Sequence, residues 1–463
     1  PPSTKVFSSL LQACTHQKDI HTGREVYSWI TRSGFHNVFL RNQLIRMFSS
    51  CGSLIEAKEV FNHVNKPNLF TWTAIISACV DYGRPHDALK MYELMQRDDV
   101  QPNEYTFASL FKACRIMVNL KKGRKLHEEA QDKGLMSVDF LFNALVSMYG
   151  KCGSILDAAN VFAGLCNLDV VTWNAMLSAF VEQGEAKKAL LLYRQMREEG
   201  VKPDHQTIVT ALQACGLLAE DEEPIILGPQ SIKVKCFNVG RALHADACSN
   251  DLCLLDDVSM ATTLVDMYSK CGAIEDAEHV FSALNRPDVV SWNTLLSAYL
   301  KQCSDRADLV LWLYRQMHEQ GIVPNAYTLV HSVKACGMMA IEKGKAFRTN
   351  GREIKAMALE IGQALHVDAL SKKLLSGSHF VATALMGMYN NCGDIRKAEE
   401  VFVECSQRDI VTWNAMLSAY VEHGLAERAL RLYRQMQEEI VDLNHMTFVS
   451  ACQACSILAE SEE

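Results

Sequence analysis

The chain has 463 residues, 49% of them apolar, a formal net charge of −8 and 17 cysteines. The acidic balance excludes a generic basic nucleic-acid binder, though it leaves room for a local groove where a few lysines meet phosphates. No apolar run is long enough to span a bilayer, so the expectation is a soluble chain with no membrane partner.

In chain order, residues 4–37 read as a long helical hairpin, 38–68 as a short one and 69–103 as a third type. The short type returns at 139–169, 258–288 and 379–409, always in 31 residues. The third type returns at 170–204 and 410–444 with 35 residues, and at 289–325 with two more near Ser304–Arg306. Its clearest copy runs from Asp169 through Thr172-Trp173-Asn174-Ala175-Met176-Leu177, repeated almost word for word from Asp409. Trp173, Met176, Leu177 and Phe180 draw one helical stripe, and Gly184 breaks it. Ala186, Ala189, Leu190, Tyr193 and Met196 draw a second stripe, ended by Gly200 and Pro203. Two such helices cannot bury both stripes alone, so neighbouring hairpins must stack. The prediction is an all-α solenoid of helix-turn-helix repeats over residues 1–463, in place of the three globular domains that length suggests.

The long type passes through Glu104-Tyr105-Thr106-Phe107 and Gly123-Arg124-Lys125-Leu126-His127. Two later copies are stretched, near 220–238 and 340–361, by 16 and 17 residues. They contain Glu220-Asp221-Glu222-Glu223-Pro224 and Gly344-Lys345-Ala346. Both read as surface loops, the second with an extra helical turn. The ending 455–463 echoes 215–223, so a fifth unit starts and is cut at the same point. The start, Pro1-Pro2-Ser3, has no initiator Met or targeting segment and suggests a piece of a longer precursor.

Cysteines keep register: Cys14, Cys114, Cys215, Cys336 and Cys455 share one slot, and Cys51, Cys152, Cys271 and Cys392 another. They read as small core fillers in a reducing compartment.

Thr172-Trp173-Asn174-Ala175, Ala189-Leu190, Tyr193, Met196 and Pro203-Asp204 resemble the pentatricopeptide repeat. The alternation of long, short and standard lengths resembles the plant organellar subclass called PLS, and Asn143-Ala144-Leu145 with Met148-Tyr149-Gly150-Lys151-Cys152-Gly153 is similar to its short motif. The resemblance covers nearly the whole chain outside the insertions. The tetratricopeptide repeat, a protein binder, opens on a different pattern from Trp173-Asn174-Ala175-Met176-Leu177. The resemblance implies a right-handed α-solenoid of about four units that binds single-stranded RNA, one base per repeat. It implies a non-enzymatic specificity tract for C-to-U editing in a chloroplast or mitochondrion, without a cofactor, working with other editing factors or a deaminase in trans. A helical scaffold holding a protein partner in its concave groove is the alternative.

In that family the fifth and last residues of a repeat read the base. Here they are Asn42/Asn68, Thr73/Asn103, Asn143/Asp169, Asn174/Asp204, Thr262/Asp288, Asn293/Asn325, Thr383/Asp409 and Asn414/Asn444. Amide, hydroxyl and carboxylate suit Watson–Crick edges, while helix capping competes as the explanation for the last residue. Long-type fifth residues (Ser8, Ala108, Val209, Val330, Val449) read as spacers. Family pairings give Y-A-n-U-U-n-G-Y-n-G-Y, with a possible change of register after U-U. Second residues Phe39, Phe70, Phe140, Val171, Val290, Phe380 and Val411 would sandwich bases; Ser259 breaks this row, and core packing competes for the valines. Lys151, Lys270 and Lys301 would meet phosphate, but Asp81, Glu182 and Glu422 hold the slot elsewhere. The acidic run at 220–224 is expected to project away from RNA, so that deleting 220–235 leaves affinity nearly unchanged. Cys452-Gln453-Ala454-Cys455 and His127-Glu128-Glu129 match halves of a zinc deaminase signature, but their separation argues against a metal site.

Overall fold

The computed structural model describes residues 4–462 except 35–36, 137, 166–167, 228–229, 251–256, 303–305, 347–350, 373, 375–377 and 406–407. Among the described residues the chain forms 25 helices and one two-stranded hairpin, an all-α solenoid of stacked helix-turn-helix repeats. Two compact units divide it, Pro1–Leu217 and Leu218–Glu463. No helix among the described residues is long and apolar enough to cross a membrane.

The hairpin centred on Trp173 shows why the pattern recurs. Val170–Glu182 starts where the Asp169 side chain accepts from the Thr172 N–H, and the turn at Gly184 takes a positive φ of 74°. Ala186–Glu198 then returns. Trp173, Met176 and Leu177 are fully buried, as are Ala189 and Met196; Leu192 is buried while the expected Leu190 is only half-buried. The Trp173 ring meets the edge of Phe162, on the preceding short hairpin, at 5.1 Å. The same joint recurs at Phe61–Trp72, Phe281–Trp292 and Phe402–Trp413, at 4.9, 4.8 and 4.9 Å. Such a contact adds about 0.5–1.5 kcal/mol beyond the area it buries.

A second joint ties long to short hairpins. His127, His244 and His366 hydrogen-bond the hydroxyls of Tyr149, Tyr268 and Tyr389 at 2.8–2.9 Å. Burial lowers each imidazole pKa below its ordinary value, which favours the neutral ring. At Gly123 an added Cβ would fall 2.5 Å from the Met148 sulfur, which explains the glycine four residues before His127.

Cys14, Cys114, Cys215 and Cys336 are buried, and burial pushes Cys114 and Cys336 up to about 12. Cys271 is buried too, whereas Cys51, Cys152 and Cys392 are half-buried. Cys455 departs from its slot-mates and is exposed.

The insertions differ from the predicted loops. After His205–Asp221 the first forms Ile225–Leu227 paired antiparallel with Gln230–Ile232, followed by the helix Val234–Ser249. Its acidic run has structural partners. The Glu222 carboxylate accepts from the backbone N–H groups of Lys235 and Cys236 at 3.0 and 2.9 Å, capping that helix. Glu220 lies 3.3 Å from Lys270. The Lys233 N–H donates to the Cys271 carbonyl at 2.9 Å. The hairpin is therefore docked on the next short repeat, and deleting 220–235 removes a helix cap and a packing contact. The isoleucines on either side of the Gly228-Pro229 sequence are the signal for it, too short to register beside five acidic and turn-forming residues. The second insertion lengthens both helices of its hairpin, Ala326–Ala346 and Gly351–Ser371, to 21 residues each. Its centre at 347–350, and Ser304 in the smaller insertion, lie outside the described residues.

Candidate nucleic-acid interface

Each of the eight last residues singled out as readers caps the next repeat's first helix. The backbone N–H of the third residue of that repeat donates to Oδ1 of Asn68, Asn103, Asp169 and Asp204 at 2.8–3.0 Å. It does the same for Asp288, Asn325, Asp409 and Asn444 at 2.8–3.1 Å. Capping is thus correct at all eight. It also has a chemical consequence. An N–H only donates, so the capping atom is an oxygen, and the other terminus of the side chain is the one left over: Nδ2, a donor, for Asn, and Oδ2, an acceptor, for Asp.

The fifth residues meet these caps in three ways. Nδ2 of Asn174, Asn293 and Asn414 donates directly to Oδ1 of Asp204, Asn325 and Asn444 at 2.9, 3.1 and 3.0 Å. Thr73 and Thr262 reach their partners through a shared hydroxyl, Thr106 at 2.9 Å and Ser291 at 3.0 Å. Asn143 bonds Asp169 but leaves its amide oxygen buried and without a partner, as does Asn42. Thr383 is turned to the His379 carbonyl at 2.9 Å, and Oδ2 of its partner Asp409 lies 3.5 Å from His379. Burial alone would raise the Asp204 carboxyl, but hydrogen bonds from Thr207 and Asn174 outweigh it and hold it below the usual carboxylate range. The same balance holds for Asp169.

The second residues are not core. Phe39, Phe70, Phe140, Val171, Val290, Phe380 and Val411 are all exposed, from 37% at Phe140 to 68% at Phe70, which removes core packing as their explanation. Tyr105 and Tyr327 hold the same slot in long repeats and are equally exposed. The sequence reading missed them, although counting to the second residue of those repeats would have found them. Tyr105 stacks on Phe140 with ring centroids 4.9 Å apart. In the first unit a groove of about 1060 Å³ gathers Phe39, Phe70, Tyr105 and Phe140 with Asn42, Asn68, Thr73 and Asn103, and Arg46, Lys112 and Arg115 lie on its walls.

The lysines are largely matched by acids. Lys151 lies 3.3 Å from Glu182, and Lys112 lies 2.6 Å from Asp81. Lys270 pairs with Asp266 as well as Glu220, and Lys301 is exposed. Exposed pairs of this kind are worth roughly 0–1 kcal/mol and exchange readily. Among the described residues no three His, Cys, Asp or Glu side chains are grouped so as to hold a metal ion; His127 is bonded to Tyr149, and Cys452 and Cys455 stand exposed on His445–Glu462.

Comparison with known proteins fits this geometry. The PPR repeat family matches residues 67–115, 168–216, 287–336 and 408–456, and the PPR repeat matches 40–66, 140–167, 259–286 and 380–410. A chloroplastic pentatricopeptide repeat-containing protein of Arabidopsis thaliana is 30% identical over 97% of this chain and 51% of its own length. A mitochondrial one from the same plant is 29% identical over 97% of this chain and 60% of its own. The chain thus spans about half to two thirds of these relatives. A crystal structure of the pentatricopeptide repeat protein PPR10 in complex with an 18-nt psaJ RNA element shares the fold, with TM-score 0.56 and 15% identity over 98% of this chain and 71% of that one. The repeat matches in both compact units and the similarity along nearly all of its length show that this chain belongs to the pentatricopeptide repeat family.

Proposed function

We propose that this chain binds single-stranded RNA, with each fifth/last pair selecting one base and the exposed second residues stacking on the bases. The observation that carries the reading is the cap geometry, which fixes what each pair offers. Asn174 with Asp204 offers an amide proton beside a carboxylate oxygen, complementary to the O4 and N3–H of uracil. Thr262 gives its proton to the Val258 carbonyl, so with Asp288 it offers acceptors, which suit the N1–H and N2–H donors of guanine. Thr73 with Asn103 leaves an amide donor for N1 of adenine.

On this reading the chain is the specificity tract of a PLS-type organellar protein that directs C-to-U editing, with the deaminase supplied in trans. The organellar names of the relatives support a chloroplast or mitochondrial site of action. The RNA held by PPR10 supports the ligand class.

Filter binding tests the proposal. A single-stranded RNA carrying the expected bases should bind at least roughly tenfold tighter than its own duplex, whose stacked bases cannot enter the pairs. The salt dependence should be shallow, with a slope of about −2 in log K against log salt, from about three phosphate contacts at about −0.7 each. Equal affinity for duplex, or retention of neither RNA, would leave the protein-scaffold reading in its place.

A further inference from the structure

Each direct reader pair has a third member outside the fifth and last slots. Thr207, Thr328 and Thr447 are the third residues of the following long repeats, and all three are fully buried. Their hydroxyls lie 2.7, 2.7 and 2.8 Å from Oδ1 of Asn174, Asn293 and Asn414. A hydroxyl has one proton. The Thr207 hydroxyl also lies 2.7 Å from Oδ1 of Asp204, but that oxygen already accepts the Thr207 N–H and Nδ2 of Asn174, so we assign the Thr207 proton to Asn174. The amide is then held at both ends: oxygen on the threonine, nitrogen on the cap. Flipping it would break the bond to the cap, set oxygen against oxygen there and force the threonine hydroxyl from donor to acceptor; as placed, only the second Nδ2 proton is left for a base. In the short repeats the arrangement is incomplete. Thr172 is equally buried and bonds Asp169 at 2.6 Å, but the Asn143 amide oxygen takes no partner.

We propose that Thr207, Thr328 and Thr447 are positioning residues for base recognition, each fixing the orientation of the asparagine that reads the base. The proposal rests on the RNA reading above. An amide turned the other way would offer an oxygen beside the carboxylate of Asp204, a pair of acceptors that no longer matches uracil and accepts the N4–H of cytosine instead.

The test uses the whole chain and two RNAs that differ only at the nucleotide facing Asn174/Asp204, U or C. Thr207→Val keeps the shape and the capping N–H but removes the hydroxyl. It should cut the U-over-C preference at that nucleotide roughly five- to tenfold, the worth of one hydrogen bond, and leave the preference facing Asn143/Asp169 unchanged. Thr207→Ser should restore the wild-type ratio. Thr172→Val loses a hydroxyl that only braces a cap, so the preference at its own nucleotide should stay within about twofold, although melting falls similarly for both valine variants. Should Thr207→Val not fold, Thr328→Val reports the same effect as the pyrimidine-over-purine preference facing Asn293/Asn325. Wild-type discrimination that survives both valine substitutions overturns the proposal, as does an equal loss in Thr172→Val. A wild-type chain indifferent to U and C at every position overturns the RNA reading itself.

Discussion

Changing Gly272 to alanine should destabilise the chain by about 3–6 kcal/mol, against about 1–2 kcal/mol for alanine at Gly52 or Gly393. The three glycines end the first helices of equivalent short repeats, with φ of 88°, 81° and 86°. A side chain costs about 1–2 kcal/mol in that left-handed conformation wherever it is placed. At Gly52 and Gly393 the added Cβ meets nothing within 4 Å. At Gly272 it would lie 2.1 Å from the Ser231 carbonyl oxygen, a backbone atom of the inserted hairpin. The hairpin must move, and the Lys233–Cys271 hydrogen bond goes with it. Overpacking of about 1–3 kcal/mol and a lost bond of about 1 kcal/mol make up the difference. Urea unfolding followed by circular dichroism reads it. An equal loss at all three glycines would show that the insertion does not rest on Gly272.

The second large effect is on specificity. Thr262→Asn should switch the base facing Asp288 from G to U, by roughly five- to hundredfold at that position alone, the worth of a good base contact at about 1–3 kcal/mol. Thr262 is half-buried and lies on no core stripe, so the fold should survive. Its hydroxyl is committed to the Val258 carbonyl at 2.6 Å and to Ser291 at 3.0 Å. An asparagine there places an amide beside the cap, with the Ser291 hydroxyl standing where Thr207 stands beside Asn174. The new pair offers a donor next to the Asp288 carboxylate, which suits uracil and wastes the N2–H of guanine. Competition binding with RNAs differing at one nucleotide measures the switch. Equal weakening on both RNAs would make Thr262 a helix-start residue only.

Much of this was legible in the sequence because a repeat states each rule several times. The hairpins, their order and the buried Trp173, Met176 and Leu177 follow from period alone. The choice between capping and reading at Asp204 or Asn444 did not follow, because both roles use the same residue type. In the structure the cap engages one oxygen and leaves the other terminus, so capping does not use up the side chain. The Thr207 bridge was hidden for another reason: it joins residues 33 apart, and nothing in a threonine at a helix start announces a second partner. The inserted hairpin escaped because it occurs once, so no register exposed it. Its acidic run looked solvated, yet Glu222 caps a helix and Glu220 meets Lys270. That last contact also places a carboxylate on one of the lysines expected at phosphate.

Selection of binding sites from a random single-stranded RNA pool tests the central claim most directly, because it presumes no base. Two blocks should be enriched, Y-A-n-U-U for the pairs from Asn42/Asn68 to Asn174/Asp204 and G-Y-n-G-Y for those from Thr262/Asp288 to Asn414/Asn444, with n free at the long repeats. Recovered RNAs carrying neither block, or carrying preferences concentrated at the n positions, would contradict the assignment of base reading to these side chains.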